Sequence, residues 1–388
     1  MNATATASTG VKELDDALGG LFWGDNVVWE IEDGESLDPF VDALVGVRTQ
    51  FSNAAFVTLT EEPGAIRAAH PGFDVLDARA GTRLAQPGPL LTAARAFAQQ
   101  APHTLLVFDS LDAMSERWDR GTAQRFFIRA CPMLLDLWAI AYWSLTPGRH
   151  SPLLRQAVDA ITQCVVVIGD GRLRLAKAEG RPPGVQGSVF RRRHDADGDG
   201  WERAPAAARL GVALRALRIQ RHLSQAELAE VAGVSPSAIS QVERGRRGFS
   251  LDTLLTLTAR LNITLDELLR GEIALGYRLA RRTDPDDSDD RLLSLLDDPQ
   301  AGLRASVSRL APGKGTIPRS RHDGIELIAV AAGLVQVVLP TGRPVLRQGE
   351  VLLAEWSGVT SWHNVGDRDA IVFWVLRDDV GPSHLQPS

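Results

Sequence analysis

The sequence predicts a multidomain protein with an α/β domain, an all-α domain and an all-β domain, in that order along the chain. Its 388 residues suffice for two or three domains at roughly 100 to 200 residues each. Two segments rich in charge and poor in apolar residues, 191–205 and 281–291, divide the chain as linkers or solvated loops do. The pattern of apolar residues changes at both, so the predicted domains cover residues 1–200, 205–272 and 300–380.

The first predicted domain alternates apolar runs with helical stretches. Five runs are short and continuous, as strands buried on both faces of a parallel sheet are. These runs are NVVWEI (26–31), AAFVTLT (54–60), TLLVFDS (104–110), AIAYWSLT (139–146) and QCVVVIG (163–169). Alternation of such runs with helical stretches is typical of a three-layer α/β domain.

The middle segment is helical in pattern, with clearly marked helix starts. Ser224 and Glu227 have the spacing of a capping box, and Ser235 places an N-cap residue before Pro236 at the first helical position. Gly233 lies where a short turn between two crossing helices needs a residue that tolerates positive φ. The pattern therefore predicts two helices joined by a tight turn.

Residues 218–245 of this segment resemble, without a gap, the helix-turn-helix of the phage-repressor and Xre family of DNA-binding proteins. The resemblance implies that Gln225 contacts a phosphate and that Arg218 and Glu243 form a supporting ion pair. It also implies a face in the major groove, with Gln241 as the candidate for a bidentate contact to adenine. The predicted DNA-contacting residues are Gln225, Ser235, Pro236, Ser237, Ser240, Gln241, Arg244, Arg246 and Arg247.

The local charge of this segment favours a nucleic-acid partner. Residues 206–270 contain nine arginines and six acidic residues, a surplus of +3 in a chain whose net charge is -6. Positive charge suits contact with phosphates, so double-stranded operator DNA is the expected partner. The alternative interpretation of the same helices is a bundle that contacts another protein.

The last segment has short alternating strands with Gly and Pro turns, which predicts an antiparallel sandwich or barrel. Two of its stretches resemble the two motifs of the cupin family, GTIPRSRHDGIELIAVAAG (315–333) and GEVLLAEWSGVTSWHN (349–364). The resemblance places the four metal-ligand positions of that family at Ser320, His322, Glu326 and Thr360. Only two of these four residues have the family's ligand side chains, so we predict no bound metal and no cofactor.

Two uses of this barrel stay open. One is a small-molecule site with His322 and Glu326 as polar anchors. Its aromatic lining would be Trp356, Trp362, Phe373 and Trp374. The other is a structural or dimerising barrel in which the same two residues hydrogen-bond each other. Helix-turn-helix proteins with a cupin behind them form a group of regulators, and the resemblance implies ligand-responsive dimers, so a homodimer or a higher homo-oligomer is expected.

The beginning of the first segment, STGVKELDDALGGLFWGDNVVWEI, resembles the start of the RecA-like core of the KaiC and RadA ATPases. The likeness continues through FVTLTEEP, where it places a catalytic glutamate at Glu61, and TLLVFDSLDAM, where Asp109 has the place of the Walker B aspartate. RLRLAKAEGR resembles a strand whose lysine, here Lys177, reaches a neighbouring subunit's nucleotide. The resemblance implies a RecA-like fold in which these three residues are relics of nucleotide chemistry.

The stretch VVWEIEDGESLDPF stands where that family has its phosphate-binding loop. Such a loop needs glycines whose N–H groups wrap the phosphates, a lysine for the β- and γ-phosphates, and a Ser or Thr for magnesium. Residues 30–40 contain one glycine and no lysine, and the acids Glu30, Glu32, Asp33 and Glu35 would repel a triphosphate. We therefore predict a pseudo-ATPase domain that serves assembly or partner docking.

The predicted function is sequence-specific DNA binding by a transcriptional regulator without catalytic residues. The alternative is an ATPase or cupin metalloenzyme with an accessory DNA-binding module. Cys131 and Cys164 lie in apolar runs, with no nearby His or second Cys to suggest a metal site, which fits a reduced cytoplasmic compartment. The first residues lack a signal-peptide pattern, and no run reaches the roughly 18 apolar residues of a membrane span. We therefore expect a cytoplasmic protein with no membrane partner.

Overall fold

The computed structural model describes residues 6–182, 184–195, 198–204, 206–221, 223–245, 247–265, 268, 279, 292–298, 301–317, 324–354 and 358–378. The chain divides into two compact units, Met1–Leu279 and Ala280–Ser388. Within the described ranges, each helix is too short or too polar to span a bilayer.

A mixed β-sheet organises the larger part of the first unit. Its strands are β1 (Asn26–Ile31), β2 (Asn53–Thr58), β3 (Asp74–Asp77), β4 (Thr104–Phe108), β5 (Ile140–Leu145), β6 (Cys164–Gly169), β7 (Arg172–Ala178), β8 (Val189–Asp195) and β9 (Gly198–Arg203). Their spatial order is β3-β2-β4-β5-β1-β6-β7-β8-β9. The strands from β3 to β6 in this order are parallel, and β7, β8 and β9 add to the edge as antiparallel strands. All five predicted strands are present, as β1, β2, β4, β5 and β6.

Helices cover both faces of this sheet. They are α1 (Lys12–Leu18), α2 (Asp38–Gly46), α3 (Pro63–Ala69), α4 (Pro87–Ala98), α5 (Leu111–Trp118), α6 (Arg120–Asp136) and α7 (Pro152–Ile161). Alternate residues of each central strand enter two separate cores: Val28 packs with α4 to α7, whereas Val27 and Trp29 pack with α1 to α3. The predicted three-layer α/β arrangement is the observed one.

The segment 191–205 was predicted to be a linker or solvated loop, and this prediction is wrong. It forms most of the β8–β9 hairpin, which extends the sheet. The hairpin is anchored on one face by Phe190, which is buried, and by Trp201, whose ring lies 5.9 Å from that of Phe40 on α2. The charged residues that suggested a linker follow Phe190 on β8 and Trp201 on β9. The other predicted break, 281–291, lies outside the described residues.

The first unit also contains the predicted all-α segment. Its helices are α8 (Ala206–Gln220), α9 (Gln225–Ala232), α10 (Pro236–Glu243) and α11 (Leu251–Leu261). They share a small core formed mainly by aliphatic side chains, among them Leu214, Leu228, Ile239 and Val242. This core holds α9 and α10 in a fixed relative orientation.

The second unit consists of two antiparallel sheets around one core. Its strands are β10 (Leu293–Asp298), β11 (Leu303–Leu310), β12 (Gly315–Thr316), β13 (Ile325–Ala332), β14 (Leu334–Val338), β15 (Val345–Arg347), β16 (Val351–Ala354), β17 (Ser361–Asn364) and β18 (Ala370–Arg377). One sheet has the order β10-β11-β18-β13-β16 and the other β12-β17-β14-β15. This unit is the all-β part that the sequence predicts.

Candidate nucleic-acid interface

Local sequence signals set the geometry of α9 and α10. The Ser224 hydroxyl accepts a hydrogen bond from the Glu227 N–H (3.1 Å), and the Glu227 carboxylate accepts one from the Ser224 N–H (2.7 Å). Helix α9 ends at Gly233, whose φ of 67° is a left-handed value that glycine adopts without strain. Ser235 then caps α10, with Pro236 at its first position. Only residues 233–235 separate the two helices.

Helix α10 has one buried side and one exposed polar side. Ile239 and Val242 are fully buried in the small core, whereas Pro236, Ser237 and Gln241 are exposed. The hydroxyl of the exposed Ser235 accepts a hydrogen bond from the Ala238 N–H (3.2 Å) and lies 3.0 Å from the Ser237 hydroxyl. Ser240 is half-buried. The structure thus brings the predicted face-forming residues together on one side of a short, capped helix.

A buried ionic cluster connects α8, α9 and α10. Arg218 donates two hydrogen bonds to Glu243, from Nε to Oε1 (2.6 Å) and from Nη2 to Oε2 (3.2 Å). Only 4% of the Glu243 side chain is exposed. The hydrogen bond to Glu243 is the main reason that the pKa of Arg218 is raised. Gln225 completes the cluster, because its Nε2 donates to Glu243 Oε2 (2.7 Å).

The contact with Glu243 gives Gln225 a structural role beside the phosphate contact that the resemblance implies. Its amide donates one hydrogen bond to Glu243, and an amide group has two N–H donors.

The arginines that follow α10 differ in their surroundings. Arg244 folds back along the helix, donating to the Ser240 carbonyl (3.0 Å) and hydroxyl (2.9 Å). Its own carbonyl accepts a hydrogen bond from Arg172 Nη1 of β7 (3.1 Å). Arg247 is exposed, and Arg246 lies outside the described residues. No sequence signal pointed to Arg172, since its contact depends on how α10 packs beside the sheet.

The acidic stretch after β1 is bound to its own chain. Glu35 Oε1 accepts a hydrogen bond from the Gly171 N–H (3.0 Å), and its Oε2 accepts one from Arg192 Nη2 (3.4 Å). Glu32 packs so closely over Gly169 that a Cβ there would lie 2.0 Å from the Glu32 carboxylate. Asp33 lies 3.7 Å from Arg149. At the position where the resembled family has its phosphate-binding loop, the carboxylates of Glu32 and Glu35 contact the β6–β7 turn.

Asp109 follows β4 and anchors the loop after β2. Its Oδ2 accepts hydrogen bonds from the N–H groups of Leu59 (2.8 Å) and Thr60 (3.2 Å) and from the hydroxyls of Thr58 and Thr60 (3.2 Å each). Burial raises the pKa of Asp109, although these hydrogen bonds oppose the shift. One carboxylate oxygen of Asp109 thus binds both the backbone and the side chains of this loop.

The other two residues that the resemblance assigns to former nucleotide chemistry, Glu61 and Lys177, have different surroundings. Glu61 is exposed, and its N–H donates to the Thr58 hydroxyl (2.9 Å). Lys177 Nζ donates to the carbonyl of Asp159 on α7 (2.5 Å) and lies 3.8 Å from Glu179. Lys177 therefore contacts α7 of its own chain.

In the second unit, the side chain of Glu326 lies in the core. Its side chain is fully buried, Oε1 accepts from the Val359 N–H (2.6 Å) and Oε2 accepts from Trp374 Nε1 (2.5 Å). The Trp374 ring lies 6.2 Å from that of Trp362, whose Nε1 donates to the Ser308 hydroxyl (3.0 Å). Both carboxylate oxygens of Glu326 thus accept hydrogen bonds from the chain.

Two further predicted pocket residues, Thr360 and Phe373, do not line this interior. Thr360 is exposed, because its neighbour Val359 takes the buried position before β17. Phe373 is 39% exposed, since adjacent residues on β18 face opposite sides and Trp374 takes the inward one. Ser320, His322 and Trp356 lie outside the described residues.

Comparisons with known proteins agree on the helical segment. Residues 214–268 match the HTH_3 family, described as helix-turn-helix. The chain is 32% identical over 119 residues to the HTH-type transcriptional regulator DdrOP3 of Deinococcus deserti, an alignment that spans 29% of this chain and 88% of that protein.

Two solved structures resemble other parts of the chain. A KaiC-like protein from Pyrococcus horikoshii OT3 is similar at 12% identity and a TM-score of 0.41, covering 51% of this chain and 98% of that one. The Cupin_2 domain of an XRE family transcriptional regulator from Enterobacter cloacae is similar at 16% identity and a TM-score of 0.21, covering 22% of this chain and 94% of that one. Both TM-scores are below 0.5, so neither likeness supports an argument about function.

Proposed function

Since the chain belongs to the helix-turn-helix family of transcriptional regulators, we propose that it binds double-stranded operator DNA with α10 in the major groove. The single observation that carries this proposal is the two-sided character of α10. The apolar side of α10 packs in the core of the helical segment, and its exposed side presents hydroxyl and amide groups. Gln241 has the bidentate amide that pairs with adenine, and Ser237 is short enough for close approach to bases.

The cluster around Glu243 supports the same function. It ties α8, which carries Arg218, to the start of α9 and the end of α10. Side chains that read bases must be held in place before the DNA arrives, because immobilising them on binding costs free energy. Arg247, exposed after α10, is suited to a phosphate contact.

Two substitutions separate base reading from phosphate contact. We expect Gln241→Ala to lower the preference for the operator over a mismatched duplex by about 1 to 3 kcal/mol. We expect Arg247→Ala to weaken binding to all duplexes alike and to reduce the salt slope by about one. The measurement is fluorescence anisotropy on matched and mismatched duplexes at several salt concentrations. Unchanged binding in both variants would remove α10 from the interface.

For the first 200 residues we propose a RecA-like domain without a phosphate cradle, used for assembly or docking. The carboxylates of Glu32 and Glu35 occupy the β6–β7 turn, and Asp109 braces a loop. The same turn leads into Arg172, which contacts the end of α10. These contacts support a docking role directed at the DNA-binding segment of residues 205–272 of the same chain.

For residues 300–380 we propose a cupin-like barrel that forms a homodimer. The outer face of the five-stranded sheet carries two rows of apolar residues. In register across the strands, one row is Leu293, Val307, Phe373, Ala329 and Val351, and the next is Leu296, Ala305, Val375, Leu327 and Leu353. Leu353 and Val351 are 56% and 57% exposed. A continuous apolar face of this kind marks an interaction surface, and a twofold dimer would present two recognition helices to two half-sites.

Charge placed on this face is expected to separate the dimer. In Phe373→Glu, the mass measured by light scattering should fall from that of two chains to that of one chain of 42.0 kDa. Val345→Glu is the matched control, because Val345 is 46% exposed on the other sheet. Dimers that persist in Phe373→Glu, or a wild type that is monomeric, would refute the dimer surface.

A further inference from the structure

We propose that Arg244, the C-cap residue of α10, reads a guanine in the major groove and that Ser240 orients its guanidinium group. This inference rests on the proposed function and adds a second base contact to the one assigned to Gln241. A guanine presents O6 and N7 in the major groove as two adjacent acceptors, which a guanidinium group matches with two N–H groups. Arg244 would therefore determine specificity instead of binding a phosphate.

Arg244 lies on the exposed side of α10. Its backbone N–H donates to the Ser240 carbonyl (3.2 Å), four residues earlier, so the helical path continues to this position. At about 100° per residue, the side chains that share roughly 100° of arc are those of Ser237, Ser240, Gln241 and Arg244. The side chains that α10 buries lie on the opposite side. The Arg244 side chain therefore begins near the middle of the side proposed to face the bases.

Two hydrogen bonds turn the Arg244 side chain back along α10. Its Nε donates to the Ser240 carbonyl (3.0 Å), and its Nη2 donates to the Ser240 hydroxyl (2.9 Å). The guanidinium group thus lies along the exposed side of the helix instead of extending beyond its end. An arginine has five N–H groups, so these two hydrogen bonds leave others for acceptors in the groove.

The charge of Arg244 is not neutralised by a neighbouring acid. In the part of the chain that the structure describes, its guanidinium group hydrogen-bonds only to Ser240. Arg218 of α8, by contrast, is paired with Glu243. Because Arg244 is also exposed, its remaining N–H groups and its charge are accessible to a partner.

The backbone that carries Arg244 is held by two other elements. Its carbonyl accepts a hydrogen bond from Arg172 Nη1 of β7 (3.1 Å). Gly211 of α8 packs so closely on the last turn of α10 that a Cβ there would overlap the Val242 carbonyl. A side chain on a fixed backbone loses less conformational entropy on binding than a mobile one. This placement therefore favours a contact with a defined base.

The spacing of Arg244 and Gln241 predicts where the guanine lies. The two residues are three apart, which corresponds to about 4.5 Å along the helix axis. Neighbouring base pairs are about 3.4 Å apart along the duplex. The guanine should therefore lie one or two base pairs from the adenine that Gln241 contacts.

The test selects duplexes from a random-sequence library with the full chain and identifies the enriched bases. We expect wild type to enrich an adenine and, within two base pairs, a guanine. Arg244→Ala should lose the guanine alone, because its binding to the selected duplex falls roughly 10- to 100-fold. Its binding to a duplex in which an A·T pair replaces this G·C pair should match that of wild type. Gln241→Ala should lose the adenine alone.

Two further positions separate base reading from charge and test the role of Ser240. Arg247→Ala is the matched control, because it also removes an exposed arginine of this segment. It should weaken binding to all duplexes alike and leave both base preferences intact. Ser240→Ala should lower the guanine preference, whereas Ser240→Thr keeps a hydroxyl and should preserve it. An unchanged guanine preference in Ser240→Ala would refute the positioning role of Ser240.

The negative results have different meanings. If wild type enriches no sequence, the proposed function itself fails. If Gln241→Ala loses the adenine but Arg244→Ala keeps the guanine, the guanine contact is refuted alone. Uniformly weaker binding of Arg244→Ala to all duplexes, with a salt slope smaller by about one, would make Arg244 a phosphate contact and would also refute the proposal. Thermal unfolding identifies any loss of fold, and Arg244→Met, which keeps a long side chain of high helix propensity, then replaces the alanine variant.

Discussion

Replacing Arg218 with alanine is expected to destabilise the helix-turn-helix by about 3 to 5 kcal/mol and to abolish operator binding at physiological temperature. The change leaves the buried Glu243 carboxylate without its cation, near the C-terminal end of α10, where the helix dipole is also unfavourable for negative charge. Gln225 alone cannot neutralise it. The helix that presents Gln241 should therefore lose its fixed position.

Thermal and urea unfolding, followed with a DNA titration, measure this effect. The control is Arg221→Ala, which removes an exposed arginine that donates a hydrogen bond to the Leu261 carbonyl (3.2 Å). It should cost no more than about 1 kcal/mol. The Arg218→Ala, Glu243→Gln double variant should recover part of the loss, because the uncompensated charge is gone. A loss below about 1 kcal/mol in Arg218→Ala would show that the cluster does not hold α10.

Replacing Asp109 with alanine is the second change with a large expected effect, a loss of about 3 kcal/mol. The reason is that two N–H groups and two hydroxyls in the loop after β2 would lose a common acceptor. Asp109→Asn keeps an acceptor oxygen and should cost little. If Asp109 serves the fold rather than nucleotide chemistry, ATP with magnesium should leave the unfolding temperature of wild type unchanged.

The pH dependence of stability gives a second measurement on Asp109. Its pKa in the folded chain is raised above the ordinary 3.8, so the folded state binds this proton more tightly than the unfolded state does. Its contribution is therefore most favourable below pH 3.8 and is lost as the pH rises through the raised pKa. Asp109→Asn should remove that dependence. Stabilisation of wild type by ATP, absent in Asp109→Asn, would instead make Asp109 a nucleotide ligand.

The sequence predicted the elements whose burial is uniform. Strands such as β4 are covered on both faces, so their residues form continuous apolar runs. The edge strand β3, DVLD, is polar and partly exposed, and it was not predicted. The β8–β9 hairpin has three consecutive arginines, so its sequence pattern predicts a linker although Phe190 and Trp201 anchor the hairpin to the sheet domain.

The candidate DNA-binding face was predictable because it depends on local signals. Caps at Ser224 and Ser235 and the turn at Gly233 define both helices within a few residues. The partner of the Gln225 amide and the contact of Arg172 were not predictable, since both depend on packing between distant segments. In the barrel, strand alternation excludes that the neighbours Phe373 and Trp374 both face the interior.

The acidic stretch after β1 holds the β6–β7 turn in place through Glu32 and Glu35. Its carboxylates hold the β6–β7 turn, and that turn continues into the strand that contacts α10. A nucleotide-binding loop at this place would leave the turn free to move with its ligand. Carboxylates bound to the chain's own N–H and arginine groups fix it instead, which is consistent with a scaffold that positions the DNA-binding helices.

A map of genomic binding sites, made with wild type and with Gln241→Ala, tests the central claim most directly. We predict a limited set of discrete sites for wild type, each with paired half-sites about 34 Å apart, and loss of that set in favour of diffuse binding in the variant. Identical maps for the two proteins, or no enrichment of any sequence by wild type, would contradict the claim that α10 reads operator DNA.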